Sequence, residues 1–174
     1  MKEVEVKILE IDRQRVEVQL RSLEARKTLD DDVETLFFDF ADNSIAKAKN
    51  LLRLRRIGNE TELTFKKFVA SDSAKIRVEY TVSVSDFEAA NSILQSLGLV
   101  PILRMKKHRI SYVMKNSVEV DIDEYTGQYS HIPALVEIEG PDIPTIHSQA
   151  KLLGFESEQC KSWTTFDLID HYRK

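Results

Sequence analysis

The sequence lacks several features that would assign it to common protein classes. Its one cysteine, Cys160, excludes an internal disulfide and favours a reducing compartment. No apolar run reaches membrane-spanning length, and a strand-like pattern begins directly after Met1 without a signal peptide, so we expect a cytoplasmic protein away from membranes. A net charge of −4 and a pI of about 5.6 argue against binding to a nucleic-acid duplex through overall basicity.

Local motifs for phosphate binding and covalent catalysis are also missing. The sequence has no P-loop, no glycine-rich dinucleotide fingerprint and no nucleophile elbow. Its four histidines show no metal-ligand spacing. Recognition of a phosphate group would therefore have to come from side chains.

The pattern that is present is alternation of apolar and polar residues. With 174 residues, of which 42% are hydrophobic and 31% charged, the chain is predicted to form one soluble domain over residues 1–174. Period-two segments predict eight strands, and 3.6-residue periodicity with capping residues predicts helices between them. The predicted strands are 3–8, 36–40, 51–57, 61–69, 76–84, 102–114, 118–123 and 134–139, and the predicted helices are 12–26, 86–97, 144–153 and 163–172.

Nearly every predicted strand has one apolar and one charged face. In the first strand, Glu3, Glu5 and Lys7 share one face, while Val4 and Val6 share the other. Such strands build either a sandwich with its charges in water, or a barrel whose apolar outside lies under helices and whose interior is charged. The amphipathic helices favour the second. We therefore predict a mainly β (α+β) fold, an eight-stranded antiparallel closed barrel or tunnel with a charged interior and helices outside.

The charges are also segregated by strand. Acids concentrate in the first, seventh and eighth strands, and bases in the third, fourth and sixth. Mixed signs would be enough for solubility, and buried like charges are costly unless they are neutralised. An acidic and a basic wall suit a cation bound to a polyanion, because carboxylates hold the cation and Arg and Lys hold phosphate oxygens.

Seven short motifs then appear in order along nearly the whole chain. An N-terminal Glu-x-Glu-x-Lys is formed by Glu3, Glu5 and Lys7, and an Arg-x-Arg by Arg53 and Arg55. The others are Lys66, Arg77-Val78-Glu79, Lys107-His108-Arg109, Asp123 before Gly127, and Glu137-Ile138-Glu139. Together they resemble the CYTH family of triphosphate tunnel metalloenzymes, which includes class IV adenylate cyclases, thiamine triphosphatases and inorganic triphosphatases.

The resemblance implies a tunnel that binds a triphosphate together with Mg²⁺ or Mn²⁺. The implied metal ligands are Glu3, Glu5 and Glu139, with Glu137 either a further ligand or a group beside them. The implied triphosphate-binding residues are Arg53, Arg55, Lys66, Arg77, Lys107, Arg109 and Lys161; the predicted catalytic residues are Lys7, Lys107 and Arg109; the predicted supporting residues are Glu79, Asp121 and Asp123.

Several of these roles have alternatives. Lys7 and Arg77 either contact phosphate or neutralise the neighbouring acids. Lys161 is either a phosphate contact or a surface lysine. Asp123 either accepts from an arginine, which we favour, or binds a second metal ion.

Three functions fit the implied site. If water attacks, the protein is a metal-dependent triphosphatase acting on an inorganic or organic triphosphate such as tripolyphosphate or ATP. If a ribose hydroxyl attacks the α-phosphate, it is a class IV adenylate cyclase. A non-catalytic triphosphate-binding module is the third, and the complete set of metal ligands argues against it. We favour the triphosphatase, in a monomer or homodimer, since no side chain is assigned to adenine.

Overall fold

The computed structural model describes residues 4–69 and 76–173, which form a mainly antiparallel β protein with five α-helices. The eight predicted strands are confirmed. None of the described helices is both long enough and apolar enough to cross a membrane. The strands are β1 (Val4–Ile8), β2 (Arg26–Phe40), β3 (Leu51–Ile57), β4 (Glu60–Val69), β5 (Ile76–Val84), β6 (Leu99–Val113), β7 (Glu119–Thr126) and β8 (Leu135–Gly140), and the helices are α1 (Arg13–Ser22), α2 (Ser44–Lys47), α3 (Phe87–Ser96), α4 (Ile143–Leu152) and α5 (Thr165–His171).

The strands follow the order β1-β8-β7-β6-β2-β3-β4-β5 in the sheet. The β1–β8, β7–β8, β2–β3, β3–β4 and β4–β5 pairs are all antiparallel. Over the described ranges this order has two ends, at β1 and β5, so the sheet is open and the prediction of a closed barrel is wrong. The physical reason is that alternation determines which face is apolar, whereas closure requires the two end strands to pair with each other.

The chain divides into two compact units. Among the described residues, the inserted unit is 32–69 with 76–106, and the terminal unit is 4–31 together with 107–173. The long strands β2 and β6 contribute residues to both units.

The terminal unit has its core between strands and two helices. Helix α1 begins after Asp12, whose carboxylate accepts from the backbone N–H of Arg15 at 3.1 Å. The alternating apolar residues of β1 and β8 lie in the same buried cluster as the inner faces of α1 and α4, which confirms for this unit that the apolar strand faces lie under helices. That part of the cluster comprises Val6, Ile8, Val136 and Ile138 from the strands, and Val16, Leu20, Ile146 and Ala150 from the helices.

The inserted unit has a smaller core under α3. Asp86 caps this helix by accepting from the backbone N–H of Ala89 at 2.8 Å. The apolar side of α3 lies in one buried cluster with alternate residues of β2 and β3. This cluster includes Phe87, Ala90 and Leu94 of α3, Leu36 and Phe38 of β2, and Leu54 of β3.

Two predicted boundaries near the N-terminus are wrong. Helix α1 ends at Ser22 rather than near Arg26, because Glu24 takes a left-handed φ of 56° that ends helical hydrogen bonding. Strand β2 begins at Arg26, ten residues before the predicted Leu36–Phe40 segment. Its early part is rich in aspartate, which disfavours strands, and polar contacts to the neighbouring strand β6 compensate. These contacts are Asp30 with His108 at 2.9 Å and Glu34 with Arg104 at 2.7 Å.

Candidate functional site

Three glutamates lie side by side across adjacent strands of the terminal unit. Glu5 of β1 is directly opposite Glu139 of β8, and Glu139 is directly opposite Glu119 of β7. We call these three residues the glutamate row. Directly opposite residues in an antiparallel ladder project from the same face, and like charges placed in this way repel each other. The side chain of Glu5 is 48% exposed, so this end of the row is accessible from solvent.

A lysine links the glutamate row to the next row of residues. Lys7 of β1 lies opposite Glu137 of β8, and its Nζ is 3.1 Å from a carboxylate oxygen of Glu137 and 3.1 Å from one of Glu5. The side chain of Lys7 is only 2% exposed. Burial opposes its charged form, but attraction to Glu137 and Glu5 outweighs burial and raises the pKa of Lys7 well above its ordinary value. The two carboxylates therefore favour the charged form of Lys7.

Arg109 of β6 is surrounded by carboxylates in the same unit. Its Nε and one terminal nitrogen donate to the two oxygens of Asp123, both at 2.7 Å. The same terminal nitrogen donates to Glu137 at 2.6 Å, and the other forms an ion pair with Asp121. All three guanidinium nitrogens are therefore engaged by acids, and the fork–fork pair with Asp123 fixes the plane of the group.

The neighbouring Lys107 has a different electrostatic setting. Its Nζ is 2.5 Å from Asp123 and lies 5.7 Å from the centre of the Tyr125 ring. Burial and the nearby charge of Arg109 lower the pKa of Lys107, although Asp123 opposes this. Burial also favours the neutral form of Glu137, but Lys107, Lys7 and Arg109 outweigh it and hold the pKa of Glu137 well below its usual range. The predicted catalytic residues Lys7, Lys107 and Arg109 are thus brought together.

In the inserted unit, the two arginines of the Arg-x-Arg motif share one acidic partner. Arg55 of β3 lies opposite Glu62 of β4 and donates to it from Nε at 3.0 Å. A terminal nitrogen of Arg55 is 2.8 Å from the same carboxylate oxygen, and one of Arg53 is 3.5 Å from it. The three side chains are 19–27% exposed, so they remain reachable by a small anion. We call Arg53, Arg55 and Glu62 the arginine pair and its glutamate.

The same face of the inserted unit continues across β4 and β5. Lys66 lies opposite Glu79 and forms an ion pair with it. Between this pair and Glu62, the hydroxyls of Thr64 and Thr81 are 3.1 Å apart. Along β3 and β4, this face therefore carries three cations, Arg53, Arg55 and Lys66.

The carboxylates present have the right chemistry for the implied metal ion. Mg²⁺ and Mn²⁺ prefer hard oxygen ligands, and Glu5 and Glu139 are predicted ligands that the β1–β8 register sets opposite each other. Within residues 4–69 and 76–173, no three His, Cys, Asp or Glu side chains converge closely enough to hold a metal ion. Glu3, a further predicted ligand, lies outside these residues.

Two further predicted triphosphate-binding residues are Lys161 and Arg77. The backbone of Lys161 pairs with that of Lys7 through two hydrogen bonds of 2.8 Å, while its Nζ donates to the backbone oxygen of Glu158 at 3.0 Å. Arg77 belongs to β5, but its side chain lies outside the described part.

Two residues were missed by sequence reasoning, Glu62 and Glu119. The only available signal was alternation, which places them on the charged faces without indicating a partner.

Comparisons with known proteins identify relatives of this chain. A family model for the CYTH domain matches residues 1–151. A Methanocaldococcus jannaschii protein that is provisionally named an adenylate cyclase is 28% identical over 127 residues, covering 73% of this chain and 72% of that protein.

Two solved structures have a similar fold. A Vibrio parahaemolyticus protein, provisionally described as an adenylate cyclase, has a TM-score of 0.80 at 14% identity and covers 98% of each chain. A Hippeastrum protein, provisionally described as an adenylyl cyclase and reported to have a dominant triphosphatase activity, has a TM-score of 0.69 at 16% identity and covers 98% of this chain and 96% of its own. The family match, rather than the fold likeness, carries the assignment, and the resemblance inferred from the seven motifs is confirmed: the chain belongs to the CYTH domain family.

Proposed function

We propose that the protein hydrolyses a triphosphate with the help of a divalent metal ion. The observation that carries this proposal is the glutamate row, in which Glu5, Glu139 and Glu119 are opposite one another on adjacent strands. Directly opposite like charges destabilise a sheet, and a divalent cation bound at the row would offset this repulsion in addition to Lys7, which already pairs with Glu5. Membership of a family that includes triphosphatases and adenylate cyclases and uses divalent metal ions supports the proposal.

In this proposal, Glu5 and Glu139 hold Mg²⁺ or Mn²⁺ together with Glu3. A divalent cation bound there would neutralise phosphate oxygens and help to activate the attacking water. Glu137 is the least suitable of the predicted ligands, since its carboxylate already binds Lys7 and Arg109. We assign it to holding those two cations in place.

The phosphate contacts are assigned to Arg53, Arg55 and Lys66 of the inserted unit. Guanidinium groups bind phosphoryl oxygens through two parallel hydrogen bonds, and phosphoryl transfer is accelerated mainly by positioning and charge stabilisation. Each of these cations pairs with one carboxylate, Glu62 or Glu79. Phosphate contacts from Lys107, Lys161 and Arg77 stay predictions.

A class IV adenylate cyclase is the second candidate. The specific observation in its favour is the provisional name of the Methanocaldococcus jannaschii relative. Cyclisation requires the ribose hydroxyl to be held in line with the α-phosphate. Hydrolysis requires only an oriented phosphate and a water molecule, and the assigned groups are sufficient for it.

The metal site is tested by Glu5→Gln. This variant keeps the shape of the side chain and its contact distance to Lys7 but removes a charged ligand. We expect it to fold, to lose hydrolysis of tripolyphosphate, and to lose most of the increase in melting temperature that Mn²⁺ gives the unchanged protein.

Glu24→Gln is the matched control, because Glu24 belongs to the same unit and its side chain is 78% exposed. This variant should keep both the hydrolysis of tripolyphosphate and the increase in melting temperature that Mn²⁺ gives. If Glu5→Gln is stabilised by Mn²⁺ as strongly as the unchanged protein, Glu5 is not a ligand. If the unchanged protein binds Mn²⁺ and tripolyphosphate without turnover, the protein is a binding module.

A further inference from the structure

Five charged groups of the terminal unit form a chain in which the sign of the charge alternates. Asp123 binds Arg109, Arg109 binds Glu137, Glu137 binds Lys7, and Lys7 binds Glu5. The contact distances along this chain are 2.7, 2.6, 3.1 and 3.1 Å. One end, Asp123, is fully buried, and the other end, Glu5, is 48% exposed. The chain therefore connects the interior of the unit to the glutamate row.

The geometry of Arg109 does not suit direct phosphate binding. Its three nitrogens are engaged by Asp123, Glu137 and Asp121, and the guanidinium is buried. An incoming phosphate would have to displace a buried carboxylate and leave it without a partner, which is strongly unfavourable. Arg53 and Arg55, in contrast, share one partly exposed carboxylate.

The orientation of the Glu5 carboxylate depends on this chain of charged groups. Lys7 lies at the same distance from Glu5 and from Glu137, so the position of its Nζ reflects the balance between the two acids. Arg109 holds the Glu137 carboxylate in place and partly neutralises its negative charge. If Arg109 no longer held Glu137, that carboxylate would attract Lys7 more strongly, and Glu5 would lose the cation that orients it next to Glu139.

We propose that Arg109 and Asp123 are positioning residues for the metal ligand Glu5 and act through Glu137 and Lys7. The inference rests on the proposed function, because it needs a metal ion at Glu5, and it assigns to Arg109 a role other than phosphate binding. Groups that orient metal ligands from behind typically contribute about 10–100-fold in metal affinity.

The test is Arg109→Lys, which keeps the charge and removes the planar fork. Circular dichroism first confirms that the variant is folded. Mn²⁺ is then titrated into the full-length protein without substrate, and binding is measured by calorimetry. We expect the Kd for Mn²⁺ to rise about tenfold, while the Kd for tripolyphosphate measured without metal stays the same. Arg104→Lys is the matched control, since Arg104 belongs to the same strand and binds Glu34 outside the chain of charges; its Kd for Mn²⁺ should not change.

The opposite pattern would overturn the inference. If Arg109 binds phosphate directly, Arg109→Lys weakens tripolyphosphate binding and leaves Mn²⁺ binding unchanged. If the unchanged protein itself does not bind Mn²⁺, the proposed metal-dependent function fails, and this outcome is distinct from a variant that binds as well as the unchanged protein.

If Arg109→Lys does not fold, Asp123→Asn tests the same link. Asp121→Asn removes an equal charge next to Arg109 but leaves the two-point pair with Asp123 intact. Positioning requires Asp123→Asn to weaken Mn²⁺ binding several-fold more than Asp121→Asn. Equal effects of the two variants would mean that only the total charge matters, and the proposal would be wrong.

Discussion

Glu62 is the residue whose charge most directly opposes the proposed phosphate contacts. Its carboxylate accepts from Arg55 at 2.8 and 3.0 Å and lies 3.5 Å from Arg53, so a phosphate bound to these arginines would lie close to a like charge. Two unit charges 4 Å apart repel by about 1 kcal/mol even in a water-like medium. Glu62→Gln should therefore bind tripolyphosphate about fivefold more tightly in calorimetry without metal.

Glu60→Gln is the control for this prediction, because Glu60 lies at the exposed start of the same strand. Its tripolyphosphate affinity should stay close to that of the unchanged protein. Weaker binding by Glu62→Gln would mean that Glu62 mainly holds the arginines in a binding conformation, and that this effect exceeds the repulsion.

At this scale, alternation predicted the charged faces but not the partners. It placed Lys107 and Arg109 on one face and Asp121 and Asp123 on another. It could not indicate that Asp123 binds both bases, because this depends on the packing of β6 against β7 and on side-chain reach. The role of each residue in a cluster of charges therefore follows from interatomic distances as well as from its position in the sequence.

Among the helices, α4 offers a test of a single cap. Asp142 accepts from the backbone N–H of Thr145 at 2.7 Å, and this hydrogen bond lowers the pKa of the Asp142 carboxyl. A lowered pKa in the folded state adds stability above the unfolded pKa, and this stability is lost as the pH falls through the folded value. The pKa of an unperturbed aspartate is about 4, so the loss should occur below about pH 4.

Melting temperatures of Asp142→Ala and the unchanged protein, measured from pH 3 to pH 7, check this expectation. The variant should melt lower at pH 7, and the difference should shrink towards pH 3. Asp142→Asn keeps an oxygen acceptor but has no titrating charge. Its melting temperature should therefore change with pH in the same way as that of Asp142→Ala. A constant gap between Asp142→Ala and the unchanged protein would mean that the ionised cap is not the cause.

The elements that sequence reasoning missed are stabilised by side-chain contacts that hydrophobic periodicity does not reveal. Helix α2 has only four residues, and it is held by the buried Asp39, which accepts from the backbone N–H groups of Ile45 and Ala46 at 2.9 Å. The early half of β2 is held by side-chain contacts with β6, namely Asp30 with His108 and Glu34 with Arg104. Strands β3 and β5, in contrast, were predicted with their observed bounds, because β5 alternates without a break and turn or capping residues lie beside both strands.

For the molecule as a whole, the sequence predicted the class of fold, but the prediction that the sheet closes into a barrel was wrong. Eight strands, their antiparallel pairing and apolar faces under helices all follow from periodicity and are confirmed. The strand order, with β1 next to β8 and β6 next to β2, joins segments far apart in the sequence and left no local signal. The assignment to the CYTH family could nevertheless be made from the sequence, because the motifs are charged residues in a fixed order.

The reaction itself is a property of the whole molecule, and its products decide between the two enzyme candidates. Incubation with ATP and Mn²⁺, followed by chromatography, should yield orthophosphate in preference to cyclic AMP. The physical reason is that hydrolysis needs an oriented phosphate and a water molecule, whereas cyclisation also needs the nucleoside to be held closely. Tripolyphosphate serves as the matched substrate, since it lacks a nucleoside and should also release orthophosphate. If cyclic AMP and pyrophosphate are the main products from ATP and tripolyphosphate is not hydrolysed, the protein is a cyclase and the proposed hydrolysis is wrong.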